Sequence, residues 1–349
     1  MARQRNDCRG QHCLRRVTKS RFIDRLALVT MAAVFISAIG VLVHEFWNVS
    51  PREVVLRLAD MPRHQMLLAA GLTAISYLLL TVYDFLALRY VRRRLPFSDV
   101  LFASFTAFVV SNNIGIQILS GGSTRYRIYK SYGLGDVDIG AIVFFCTIAY
   151  ALGVVTVGGL LAIIYPLNTA KLLHLPQTLV MAGGLMLVGV SLGYVALCAL
   201  WCKPVTFAGY RLRPPSLPLA IAQVVLASID AVVASTVIYV LLPEDLGLTY
   251  QSFLPVYLIA ATASVLSLVP GGLGVFESAM TILTMPPSKA ATISAFLAYR
   301  MIYFIAPLLI ALTGFVLHEL RGTAANSLTP SVERGVCSGS LAAISPPRV

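Results

Sequence analysis

Four ionisable side chains stand inside long apolar stretches of this sequence, away from their ends: Asp84, Asp230, Glu277 and Arg300. A charge at the centre of a bilayer costs roughly 2.5–3.5 kcal/mol on insertion scales, so such residues mark a binding site, a charge pathway or a pair that locks helices together. Asp84 lies near the end of its stretch, where Arg89 could neutralise it, and reads as structural. Asp230 lies midway along residues 217–242 and shares a helical face with Gln223. Arg300 sits about 15 Å into its stretch at 1.5 Å per residue, between Tyr299 and Tyr303. Glu277 follows the break Pro270-Gly271-Gly272-Leu273-Gly274. An arginine with one or two carboxylates (Glu277 and Asp230 being the candidates) beside a broken helix suits a zwitterionic head group, and suits a buried ion pair equally well. Arg125 and Arg127 follow a second glycine pair, Gly121-Gly122. Guanidinium forks and freed backbone N–H groups favour phosphate; an ordinary basic cytoplasmic loop is the plainer alternative.

No catalytic set accompanies these residues. A P-loop, Gly-x-Ser-x-Gly and His-Glu-x-x-His are all missing from the sequence. The histidines, His12, His44, His64, His174 and His318, fall in the N-terminal tail or near the ends of apolar stretches. Cys8, His12 and Cys13 match no standard zinc spacing, and the six cysteines read as free thiols. The expectation is no cofactor, no metal and no enzymatic activity of its own.

The elements that position these residues must be membrane helices. Of 349 residues, 58% are hydrophobic and only 12% charged, against about 25% charged in soluble domains. Six segments are apolar over the roughly 20 residues a span needs: 26–46, 66–88, 139–165, 177–201, 217–242 and 290–317. The net charge of +12 gathers in tails and loops. That distribution points to the anionic cytoplasmic leaflet, held by the basic tail 1–25, and away from nucleic acid.

Two further stretches, 98–120 and 254–285, are apolar but interrupted. Arg92, Arg93 and Arg94 precede the first; Arg125, Arg127 and Lys130 follow it, so both flanks favour the cytoplasm. Residues 98–120 therefore read as a re-entrant hairpin reversing near Gly121-Gly122. Residues 254–285 read as a second, reversing at Pro270, Gly271, Gly272 and Gly274. Two spans, a hairpin and one span then occur twice in opposite orientation, as in transporters built on inverted repeats. The fold class is all-α integral membrane, with six full spans and two re-entrant hairpins. The domains are a basic tail (1–25), a membrane domain (26–320) and a disordered tail (321–349). Both ends are expected in the cytoplasm of a bacterium, with the chain in the inner membrane.

These motifs resemble the transmembrane domain of the lysylphosphatidylglycerol synthase/flippase family, also called multiple peptide resistance factor. The resemblance covers roughly residues 25–320. It rests on Tyr83-Asp84, Asn113-Ile114-Gly115, Gly121-Gly122 with Arg125 and Tyr126, Asp230, Pro270-Gly271-Gly272-Leu273-Gly274 with Glu277, and Arg300-x-x-Tyr303-x-x-x-Pro307. Ala231 follows Asp230, where the family pattern commonly has an aromatic. The resemblance implies a lipid translocase for a phospholipid such as aminoacylated phosphatidylglycerol, a step that lowers negative surface charge and resists cationic peptides. Two-part members also attach lysine through a cytoplasmic transferase domain, which this sequence does not carry. The substrate-binding set on this reading is Arg125, Arg127, Asp230, Glu277, Arg300 and Tyr303. A lipid-modifying enzyme in two pieces and a substrate-free scaffold are the alternatives. A homo-oligomer and a separate synthase partner stay open.

Overall fold

The computed structural model describes residues 51–314, apart from 115–116, 201–204, 208–209, 213, 244–245, 268 and 287. The first expected span, 26–46, and both tails lie outside the described residues. Contacts divide the chain into one unit ending at Leu308 and a second beginning at Leu309, of which only residues 309–314 are described.

The described chain is almost entirely helical. In order it forms α1 (Pro51–Ala59), α2 (Arg63–Tyr90), α3 (Phe97–Ile114), α4 (Gln117–Ser131), α5 (Asp136–Ile164), α6 (Pro166–Leu173) and α7 (Gln177–Leu200). A two-stranded antiparallel ribbon follows, β1 (Val205–Phe207) and β2 (Tyr210–Leu212). Then come α8 (Leu217–Leu241), α9 (Tyr250–Leu266), a 3-10 turn (Pro270–Gly272), α10 (Val275–Thr284), α11 (Lys289–Tyr299) and a π-helical segment (Arg300–Ile305).

Among the described residues six helices are long and apolar enough to cross a membrane: α2, α3, α5, α7, α8 and the continuous helix Ala290–Gly314. Five coincide with expected spans. The sixth, α3, lies in the stretch expected to be re-entrant; its 18 residues reach about 27 Å at 1.5 Å per residue, close to the hydrocarbon thickness.

Helices α2 and α8 pack along each other most extensively, and α5 lies against both. Helix α7 packs on α5, and its remaining faces are largely exposed apolar surface, including Leu179, Leu185, Met186 and Leu192. A helix apolar on all sides is at ease at the lipid-facing edge of a bundle. The main core joins α5, α8, α9, α10 and α11, with Phe253, Ile238, Met280, Phe276 and Tyr299 among its buried members.

Two helical hairpins stand out. Helices α3 and α4 pack against each other, as do α9 and α10. The second reverses where the sequence pointed: Gly271, Gly272 and Gly274 have φ of 58°, 61° and 79°, a region side chains other than glycine rarely adopt. The first does not. Helix α3 ends at Ile114 and α4 begins at Gln117, so Gly121 and Gly122 lie inside α4. Helical hydrogen bonding continues through the pair because glycine is permitted, though not favoured, in a helix. Gly121 serves close packing instead: a Cβ there would lie 3.1 Å from Ser111 Oγ across the hairpin and 3.2 Å from Arg125 Nη1.

Candidate functional site

The site forms where the two hairpin reversals meet. A Cβ built on Gly271 would lie 3.4 Å from the Asn113 carbonyl oxygen, so the tip of one hairpin touches the end of the other's first arm. Beside this junction runs the π-helical segment. Its origin is local. Pro307 has no N–H and its ring crowds the carbonyl four residues earlier, that of Tyr303. The preceding turn widens: the Ala306 N–H bonds to the Met301 carbonyl, five residues back. The Tyr303 carbonyl instead accepts from the Tyr77 hydroxyl at 3.1 Å. Asn113 Nδ2 donates to the Phe304 carbonyl at 3.4 Å and to the Val109 carbonyl at 2.8 Å.

Arg300 begins the π segment and is 5% exposed. Its Nε donates to Glu277 Oε1 at 2.7 Å, and its Nη2 lies 2.6 Å from the same oxygen. Its Nη1 donates to the Gly271 carbonyl. The other Glu277 oxygen accepts the Gly274 N–H at 2.9 Å, which caps the start of α10. The guanidinium also lies 4.7 Å from the Phe304 ring centroid. One arginine therefore holds both sides of the second reversal. Asp230, the other carboxylate expected beside it, makes no ion pair among the described residues.

Asp230 instead accepts from Ser76 Oγ at 2.9 Å. Ser76 Oγ lies 3.0 Å from the Tyr303 hydroxyl, so Asp230 reaches the π segment through one serine. Tyr303 is 7% exposed and stacks on Tyr299 with ring centroids 5.3 Å apart.

The first hairpin has a charged anchor of its own. Asp84 is fully buried and pairs with Arg125, not with Arg89. Arg125 Nε lies 3.1 Å from both carboxylate oxygens and Nη2 lies 2.9 Å from one. The Tyr129 hydroxyl donates at 2.9 Å and Cys146 Sγ at 3.1 Å. Arg89 lies over the Phe85 ring, 4.8 Å from its centroid. With its guanidinium turned to Asp84 and 4.3 Å from the Phe108 ring centroid, Arg125 ties α4 to α2 and presents no open fork. Arg127, two residues on, is exposed. Among the described residues no three His, Cys, Asp or Glu side chains gather as metal ligands.

The two halves thus share one device: a buried ion pair ties the second arm of each hairpin to a longer helix, with the signs exchanged. In the first half the arm carries the arginine; in the second it carries the glutamate.

A family model described as the lysylphosphatidylglycerol synthase transmembrane region matches residues 25–311. The chain belongs to that family. Among its relatives, the uncharacterized protein slr0712 of Synechocystis is 33% identical over 79% of this chain and 86% of its own length. The inner membrane protein YbhN of Escherichia coli is 31% identical over 82% of this chain and 90% of its own length. The phosphatidylglycerol lysyltransferase of Staphylococcus haemolyticus is 23% identical over 84% of this chain, which spans only 34% of that larger protein. Family membership and six span-length helices make this a multi-pass membrane protein.

Of the residues the sequence singled out, the structure brings Glu277, Arg300, Gly271 and Gly274 directly together, and links Asp230 and Tyr303 through Ser76. Arg125, Gly121 and Gly122 belong to the first hairpin's own packing. Ser76, Tyr77, Asn113 and Phe304 complete the site, and Tyr129 completes the Asp84 anchor of the first hairpin. Only Asn113 carried a signal, as part of the polar run Ser111-Asn112-Asn113 inside an apolar stretch.

Proposed function

We propose that this chain is a membrane lipid translocase that passes a phospholipid head group across the junction of its two hairpins. The observation that carries the reading is the contact of two broken-helix reversals beside the buried Arg300–Glu277 pair. Non-helical backbone and ion pairs are tolerated at membrane depth where they line a polar path. Arg300 is the group to receive a phosphate. Its fork is engaged by a carboxylate and a carbonyl, which an incoming phosphate can replace bidentately. Displacing Glu277 also disturbs the cap on Gly274, so head-group binding and movement of the reversal are one event.

On this reading the hairpins are re-entrant and enter from opposite sides. The basic flanks of the first favour a mouth on the cytoplasmic side, the side this reading also gives both chain ends. The relatives named as phosphatidylglycerol lysyltransferases make an aminoacylated phosphatidylglycerol a natural substrate class. Leaflet-resolved lipidomics of a strain lacking the gene tests the proposal. One phospholipid class is expected to accumulate in the leaflet where it is made and to redistribute when the gene is restored. A change in the total amount of a modified lipid, with its leaflet ratio unchanged, would instead mark a lipid-modifying enzyme.

A further inference from the structure

We propose that Asp230 is a proton-binding site whose occupancy biases the hairpin junction, so that the cycle runs with one proton. The coupling half of this inference rests on the translocase reading above; the binding half does not.

Each other buried charge in the described helices meets its opposite: Asp84 meets Arg125, and Arg300 meets Glu277. Asp230 is 9% exposed and meets hydroxyls. Ser76 of α2 donates to it and the Tyr303 hydroxyl lies beyond that serine, while the phenols of Tyr77, Tyr83 and Tyr150 lie within electrostatic range. Among the described residues, no helix packed on α8 offers it a cation. Helices α7 and α9 contain no charged residue at all, and Asp230 is the only charged residue of α8. The acids of α5, Asp136 and Asp138, stand at its start. The charged residues of α2 are Arg63 and His64 at one end, Arg89 at the other, and Asp84, already paired. Lys289 opens α11, and Arg300 after it is held by Glu277. A buried carboxylate without a counter-ion is expensive, and in this apolar setting a proton is the cation small enough to balance it.

The proton would also be felt at the junction. As an anion, Asp230 accepts the Ser76 hydroxyl, and Ser76 Oγ is then free to accept from Tyr303. When one proton joins a carboxylate oxygen, that O–H can donate to Ser76 Oγ, and Ser76 must turn its own hydrogen toward Tyr303. Only that O–H bond is formed, and it is broken again on release. Tyr303 lies three residues after Arg300, which grips Gly271, and one before Phe304, whose carbonyl receives Asn113. Reversing this short chain pulls on the segment that holds both tips.

The test uses the full chain in vesicles of phosphatidylglycerol and phosphatidylethanolamine. pH-difference infrared spectra should contain a carboxylic-acid C=O band that is lost in Asp230→Asn, kept in Glu277→Gln and shifted in Ser76→Ala. Ser76→Ala leaves the acid in place, so it decides the matter if Asp230→Asn fails to fold. In the same vesicles an imposed proton gradient should accelerate lipid movement by the wild type and leave Asp230→Asn unchanged. Identical spectra for wild type and Asp230→Asn, or a response to sodium with no titrating band, would overturn the proton site. Lipid movement indifferent to the gradient would overturn the coupling. If no lipid moves in any vesicle, the translocase reading falls, and the infrared band alone still decides whether Asp230 takes a proton.

Discussion

Arg300 and Glu277, 23 residues apart in sequence, close a largely buried ion pair (side chains 7% and 18% exposed) across the reversal of the second hairpin, and the same guanidinium holds the Gly271 carbonyl. Breaking a buried pair by removing one partner costs about 3–5 kcal/mol. Arg300→Ala should lower the melting temperature in detergent strongly, because it strands Glu277. Adding Glu277→Gln removes the stranded charge while keeping an oxygen to cap Gly274, so the double variant should recover much of that loss. Additive losses in the double variant would contradict the pairing.

The Asp84–Arg125 pair should behave likewise, but for structural reasons. It is the more deeply buried of the two, with side chains 0% and 4% exposed. Arg125→Ala should destabilise by about 3–5 kcal/mol, and Asp84→Asn by less, since Asn still accepts from Tyr129. Joint replacement by apolar residues of similar volume, Asp84→Leu with Arg125→Met, should restore much of the stability. If lipid movement survives in that folded double variant, Arg125 anchors the hairpin and does not bind substrate.

Gly272 and Gly122 separate a reversal from a helix. A Cβ on Gly272 would stand 1.5 Å from Ser264 Oγ on a backbone with φ of 61°, so Gly272→Ala should cost at least the 1–3 kcal/mol of a strained backbone. A Cβ on Gly122 would meet Val143 at an ordinary 3.6 Å. Gly122→Ala should be neutral or stabilise by up to about 1 kcal/mol through helix propensity. Thermal melting of the two variants side by side checks this, and equal losses would contradict the placement of Gly122 inside α4.

The long apolar helices were legible in the sequence because lipid leaves so little choice. Residues 66–88, 139–165, 177–201 and 217–242 were expected, and Arg63–Tyr90, Asp136–Ile164, Gln177–Leu200 and Leu217–Leu241 are observed. The Pro270 to Gly274 break was legible because it combines a residue without an N–H and glycines free to take positive φ. The first reversal was not: a glycine pair can mark a turn or a close contact, and only the Ser111 side chain across the hairpin decides for contact. Partner choice was invisible for a similar reason. Arg89 is nearer Asp84 in sequence, but Arg125, 41 residues away, is brought to it by α4. The link from Asp230 to Tyr303 depends on Ser76, a small polar residue of a kind that in a helix often bonds only its own backbone.

The opposed entry of the hairpins has a direct check. Single cysteines replacing Arg94 and Gly133 flank the first hairpin; replacing Gly247 and Pro286, they flank the second. With Cys8, Cys13, Cys202 and Cys337 replaced by serine and Cys146 and Cys198 buried, an impermeant thiol reagent should label the last two from outside intact cells, and the first two only after lysis. Labelling of Arg94→Cys and Gly133→Cys on opposite sides would make α3 a full span and remove the inverted repeat.

The central claim is that Arg300 serves lipid passage through its fork. Its most direct test places a labelled aminoacylated phosphatidylglycerol in one leaflet of vesicles carrying the wild type, the Arg300→Lys variant or no protein. Lysine keeps the charge but cannot hold phosphate bidentately. Wild-type vesicles should equilibrate the label faster than empty ones, and Arg300→Lys, still folded by melting, should fall toward the empty-vesicle rate. Wild-type and protein-free vesicles equilibrating at the same rate would contradict translocation, and a full rate in Arg300→Lys would contradict the role of the fork.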